Sequence, residues 1–297
     1  MGNLFSVIKF IISHPIGKRN KWGCIKKFLS WQISQKIFNY PVIHPFVDST
    51  KLIVAKGMKG ATGNMYVGLH ECQDMAFLLH FLRGGDRFFD IGANIGSYTL
   101  LAAGVVGTPT ISIEPVPTTF KILTENIFLN GIGEKVTALN NGAGASEGNL
   151  FFTSDNDTVN HVVLHPKPGD AVIGVQVTSL DKIVSKYFVP TCIKIDVEGY
   201  ETEVLNGATQ LLQNPDLEVI IIELIGSGTT FGFDEKAIHI KLVSHGFAPF
   251  TYEPFTRKLL PANGISKQNN QLYLRDVNAV RQKVKSARKY SIMGVEL

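Results

Sequence analysis

Two kinds of apolar periodicity divide this chain. In residues 22–40, Trp22, Ile25, Phe28, Leu29, Ile33 and Phe38 recur at near-helical spacing with Lys26, Lys27 and Lys36 between them, which predicts a basic amphipathic helix. Val42–Ile43 and Leu52–Ala55 read as a strand pair, and residues from about Glu71 to Arg83 as a helix stopped by Gly84 and Gly85. From about residue 86 the pattern changes to short apolar strands alternating with helical segments, the signature of a parallel sheet covered on both faces. The strands are read at 87–91, 110–114, 135–139, 193–196 and 218–223, then at Gly246–Tyr252 and Gln271–Leu274; the segment Phe233–His245 reads as a helix.

Composition narrows this picture. With 44% hydrophobic and 18% charged residues the 297-residue chain can fill a sizeable core, and intrinsic disorder is excluded. No apolar run approaches the ~18 residues a bilayer-spanning helix needs. The run Leu4–Ile12 has its basic residues after it and no cleavage site, so an export signal is not expected. Cys24, Cys72 and Cys192 are too few and too scattered for a disulfide framework, and a reduced, cytoplasmic setting is expected. Residues 1–47 hold seven Lys or Arg and no acid, and residues 275–297 hold six basic and two acidic residues. The ends are thus +7 and +4 in a chain of net charge +4, which leaves the middle at −7. A basic periphery on an acidic body is unlike a nucleic-acid binder with one cationic groove. The basic N-terminal helix fits either a peripheral membrane contact through residues 1–40 or a dock on the chain's own core.

The chemistry is concentrated where strands end. Asp90-Ile-Gly92-Ala-Asn94-Ile-Gly96 follows the first strand, and Ala93–Ala102 reads as the helix after it. Glu114 closes the second strand 22 residues beyond Gly92, the distance at which a carboxylate reaches a ribose diol beside the glycine turn. A pyrophosphate on the helix terminus would want Gly-x-Gly-x-x-Gly; Asp90 inside the turn suits an ammonium better, such as the amino-acid tail of S-adenosylmethionine. Asp196 closes a third strand with Glu198 just beyond it, and Glu223 ends a fourth. Buried acids are costly unless they bind something, so Glu114, Asp196 and Glu223 at one sheet edge mark a site.

Phe89-Asp-Ile-Gly-Ala-Asn-Ile-Gly-Ser-Tyr-Thr99, Glu114-Pro115 and Ile193-Lys-Ile-Asp-Val-Glu-Gly-Tyr-Glu201 together resemble the FkbM family of S-adenosylmethionine-dependent methyltransferases over roughly residues 60–250. The resemblance implies an α/β, Rossmann-like class I methyltransferase fold: a seven-stranded, mostly parallel sheet with helices on both faces, here with an N-terminal helical and strand extension. It divides the chain into a basic extension and cap at 1–60, a methyltransferase domain at 61–276 and a basic tail at 277–297, the tail reading as a solvated helix. It also implies O-methyl transfer to a free hydroxyl of a sugar, glycan or other polyhydroxylated acceptor. Asp90, Gly92, Asn94 and Gly96 would hold the methionine part of the cofactor, Glu114 the ribose, and Asn141 and Gly142 would lie along the adenine. Asp196 and Glu198 would face the reaction centre.

A sugar hydroxyl is a poor nucleophile, so a base is wanted, and the candidates are Asp196, Glu198 and His161. Asp196, Glu198 and Glu223 could together hold a divalent ion, but no histidine pair supports one and no metal ligand is assigned. Two rivals stand beside the methyltransferase: an NAD-dependent oxidoreductase of Rossmann type, and a membrane-surface protein on a non-catalytic scaffold.

Overall fold

The computed structural model describes residues 2–38, 40–153, 162–164, 166–167, 169–265 and 270–297. Its centre is an eight-stranded sheet: β1 Phe88–Ile91, β2 Thr110–Ile113, β3 Val136–Leu139, β4 Cys192–Ile195, β5 Val219–Glu223, β6 Ala248–Glu253, β7 Lys258–Pro261 and β8 Asn270–Leu274. The order is β7-β6-β8-β5-β4-β1-β2-β3. Strands β1 to β5 pair in parallel; β8 is antiparallel between β5 and β6, and β7 is antiparallel at the edge. The topology is Rossmann-like with the order reversing at β1, where open parallel sheets bind ligands beyond their carboxyl ends. There is one strand more than the seven expected. β7 escapes a sequence reading because its alternation is only four residues long, and its hairpin turn depends on Arg257 at φ +53 rather than on glycine.

Strands β1, β2, β4 and β8 are buried throughout, as near-continuous Ile, Phe and Leu runs require of a sheet covered on both faces. One core, with Phe77, Phe81, Phe88 and Leu274, lies between the sheet and helices Cys72–Phe81 and Val277–Ser286. The other, with Phe89, Ile91, Ile193 and Leu242, lies under Glu235–Ser244. The C-terminal segment is therefore no free tail. Val280, Val284, Tyr290, Ile292 and Leu297 are buried in the first core, and Lys283 bonds Asp86 at 2.9 Å. Only the outward half of the helix is solvated, with Lys285 exposed there while Lys283 turns back to Asp86 and Glu218.

A small sheet, Gly142–Ala143, Val172–Thr178, Gly148–Thr153 and Val162–Val163, flanks the edge beyond β3. The segment Gly148–Thr153 finds its main partner in Val172–Thr178, not within a local hairpin.

The N-terminal helices Gly2–Ser13, Pro15–Arg19 and Lys21–Ile37 and the hairpin Val42–Pro45/Lys51–Val54 pack with Lys59–Val67 over the helices following β1 and β2. Asn126 ties this layer to the glycine turn, because its amide accepts from Ile53 N and donates to Ile95 O. The helix Lys21–Ile37 corrects the single amphipathic stripe read from the sequence. Cys24, Phe28 and Trp31 are buried in the core, whereas Trp22, Leu29, Ile33 and Ile37 point away from it. Phe28 packs edge-on against Tyr66, with ring centroids 5.2 Å apart. Phe28→Ala is expected to cost about 3–5 kcal/mol, against within ~0.5 kcal/mol for Trp22→Ala. Urea unfolding followed by circular dichroism measures both, and equal costs would contradict the assignment of the two faces.

Candidate active site

The residues after β1 do not begin a helix. Asn94 at φ +52 and Gly96 at φ +93 are left-handed, so the helix starts only at Ser97, four residues later than its apolar pattern suggests, and widens to π turns over Leu100–Val106. Gly92 has a second constraint: a Cβ there would lie 1.8 Å from the Asp196 carbonyl oxygen. Only glycine lets the turns after β1 and β4 touch, and that contact brings Asp196 to the cofactor side.

The N–H groups of this turn are already in use. Gly92 and Ala93 donate to Ile113 O, Asn94 to Glu114 Oε2 at 2.9 Å, Ile95 to Asn94 Oδ1 and Gly96 to Ala93 O. A pyrophosphate needs free N–H groups at this point, so the NAD-dependent reading loses its structural basis.

A cavity opens beside the turn, lined by Gly92, Asn94, Glu114, Asn141, Gly142, Asp196 and Glu198, all seven of them read from the sequence. Its remaining walls include Ile113 and Tyr200, and also Thr119, Phe152 and Val162, which no motif pointed to. Glu114 is buried; its Oε1 accepts from Val116 N at 3.0 Å while Oε2 accepts from Asn94, leaving each oxygen a further lone pair. Burial pushes its carboxyl up to about 7, even though both N–H groups favour the anion. Asn140 extends the wall by donating to the carbonyls of Glu114 and Pro115.

Asp90 and Glu114 come together on neighbouring strands, close enough for the Asp90 charge to raise the Glu114 pKa. Asp90 lies behind the turn, however, and does not line the cavity: its Oδ2 accepts from Thr99 Oγ1 at 2.6 Å, and burial raises it to about 6. Gly96 also stands back, its Cα facing Leu123. His161 lies outside the described residues.

Below Asp196 is a second cluster. Lys194 is 1% exposed in the middle of β4, and its Nζ donates to Asp196 Oδ2 at 3.0 Å. Burial opposes its charge, but Asp196, Glu71 and Glu223 more than compensate and hold its pKa above the ordinary lysine value. Carboxylate oxygens of Glu71, Asp196 and Glu223 lie within 4.8 Å of one another, the separation of a hard-cation site. The chain's own cation there is the Lys194 ammonium. Burial first, and then Asp196, raises Glu223 strongly, so this carboxyl keeps its proton near neutrality. Burial also raises Glu198, which sits at φ +52. Glu201 secures the turn by accepting from Val197 N and Gly199 N.

Sequence reading missed Glu71 and Lys194. Glu71 precedes the helix Cys72–Phe81 and is held by Tyr98 OH at 2.8 Å and by Asn270 Nδ2 at 2.9 Å, the latter 199 residues away in sequence. Lys194 did carry a signal, being a charge in the centre of an otherwise apolar strand.

Over residues 90–249 the chain matches the methyltransferase FkbM domain, and it belongs to that family. One curated relative is the hexuronic acid methyltransferase AglP of Haloferax volcanii, 30% identical over 149 residues, which are 50% of this chain and 59% of the relative. Similar solved structures include the precorrin-6Y C5,15-methyltransferase of Geobacter metallireducens GS-15, at a TM-score of 0.40 and 11% identity over 69% of this chain and 88% of that one. The P. horikoshii TYW2 complex with MeSAdo has a TM-score of 0.37 and 16% identity, over 80% and 70% of the two chains. The cavity itself offers paired acceptor lone pairs on Glu114, an apolar wall of Ile113, Phe152 and Val162, and the carboxylates of Asp196 and Glu198.

Buried acids raised to about 7, namely Asp74, Glu114 and Glu201, bind more protons folded than unfolded, so they lower stability as pH rises towards and through 7; Glu223 continues the trend above it. Buried His14, His44 and His80, lowered to about 4, act in the opposite sense only below the unfolded value near 6.5. The ligand-free melting temperature is therefore expected to fall between pH 7 and 8.5 in scanning calorimetry; a rise across that window would refute the assigned protonation states.

Proposed function

We propose that this chain transfers a methyl group from S-adenosylmethionine to a hydroxyl of a sugar-type acceptor. The observation that carries the reading is that Glu114, with spare lone pairs on both carboxylate oxygens, shares one cavity with Asp196 and Glu198. A ribose-binding acid and two acids fit for handling a hydroxyl proton thus face the same volume. S-adenosylmethionine supplies an electrophilic methyl on a sulfonium, so the protein's tasks are alignment and proton handling. Glu114 would accept from the ribose diol, Asn141 and Gly142 would border the adenine with Phe152, and Gly92 and Asn94 the methionine portion. Asp90 would act from behind, holding the turn through Thr99.

For the acceptor, Asp196 is the better base. Glu223 is not among the cavity's lining residues and burial raises its pKa, whereas Asp196 lines the cavity and pairs with the Lys194 ammonium. Its free carboxylate oxygen would orient the hydroxyl and take its proton as the new bond forms. Glu198 would hold a second hydroxyl. A sugar acceptor is supported by the relative named for hexuronic acid, and also by a broad groove of about 1000 Å³ under the N-terminal helices. Lys56, Lys59 and His70 line that groove; Lys59 lies near enough to Glu198 to act on its charge, and His70 precedes Glu71. An anionic sugar would find its counter-charge there.

The test separates binding from turnover. Glu114→Gln is expected to weaken S-adenosylhomocysteine binding by about tenfold to a hundredfold. Asp196→Asn should leave that affinity within about threefold and lower kcat by about 10²–10⁴. Calorimetric titration gives the first, and mass spectrometry of uronic acid and neutral sugar acceptors with labelled methyl donor gives the second. Unchanged affinity in Glu114→Gln, or full turnover in Asp196→Asn, would overturn the assignments.

A further inference from the structure

The outer face of helix Lys21–Ile37 has no role in the site and packs against no core cluster among the described residues. Trp22 is 83% exposed, Ile33 61% and Ile37 64%, with Leu29 and Phe38 also exposed. These positions run along one side of the helix, opposite Cys24, Phe28 and Trp31, so the helix is apolar on two faces and only one is used by the core. A contiguous apolar stripe of this kind marks an interaction surface. The charge around it specifies the partner. Lys18, Lys21, Lys26 and Lys36 are exposed, none of them is in an ion pair among the described residues, and residues 1–47 contain no acid. Protein partners of such a stripe need only apolar complementarity, whereas apolar side chains rimmed by unpaired lysines match the headgroup boundary of an anionic bilayer.

We propose that Trp22, Leu29, Ile33, Ile37 and Phe38 dock this enzyme on an anionic lipid surface, lying in the headgroup plane while Phe28 and Trp31 keep the helix attached to the core. No helix of the described chain is long and apolar enough to cross a membrane, so the contact is interfacial. The same helix lends Trp31, Gln32 and Gln35 to the groove proposed for the acceptor, so docking would bring that groove next to the lipid surface.

The test uses the full chain, because deleting residues 1–40 would also remove Phe28 and Trp31 from the core. Co-sedimentation with vesicles of phosphatidylcholine and 30% phosphatidylglycerol, against phosphatidylcholine alone, is expected to show binding to the anionic vesicles only, weakening as salt rises. The double variant Trp22→Glu/Ile33→Glu should lose about tenfold or more of that binding. Its S-adenosylhomocysteine affinity and melting temperature should stay at wild-type values, which separates failure of docking from failure of the fold or of the proposed activity. Equal vesicle binding by variant and wild type would overturn the proposal. So would a wild-type dimer in analytical ultracentrifugation that the double variant splits, since a second copy would then cover the stripe.

Discussion

Everything at the sheet's carboxyl edge depends on one buried ammonium. Lys194 sits in β4 between acids delivered from three directions: Asp196 from just beyond its own strand, Glu223 from β5 and Glu71 from the start of helix Cys72–Phe81. An unpaired charge in that position would be prohibitive, and a buried pair is often no more stabilising than an apolar replacement. Its value is positional. With the ammonium fixed against one oxygen of Asp196, the other oxygen is left to the cavity. Glu223 stands apart from it, because burial and the Asp196 charge raise its pKa against the pull of the lysine.

The same lysine explains how the cap and the sheet become one unit. Tyr98, from the helix after the glycine turn, donates to Glu71 and lies 5.5 Å under the Lys194 ammonium, while Asn64 of the cap donates to Ser97. The glycine turn, the cap and β4 therefore share a polar seam. Gly92 completes it from the other side, where the missing Cβ admits the Asp196 carbonyl.

Much of this was legible in the sequence. The alternating strands gave β1 to β5 nearly to the residue, and Gly92, Asn94, Glu114, Asn141, Gly142, Asp196 and Glu198 do line a common cavity. These are local signals: a glycine turn and acids at strand ends. What stayed hidden is non-local. Glu71 joins the site through partners 27 and 199 residues away, and Phe152 and Val162 become a wall only once the small sheet has folded beside β3. Backbone handedness was hidden as well, since Asn94 looks like a helix residue until its φ is known. The helix Lys21–Ile37 misled for another reason, as two apolar stripes about half a turn apart read as one broad stripe.

That doubled character bears on how the molecule is made. The inner stripe of Cys24, Phe28 and Trp31 belongs to a cluster whose members extend to Ile132, about a hundred residues further along the chain. At the usual elongation speed of roughly 5–20 residues per second, the helix spends on the order of 5–20 s with both apolar faces uncovered before its lodging exists. Over that interval the nascent chain depends on shelter from outside itself, and the ribosome's pace becomes a determinant of yield.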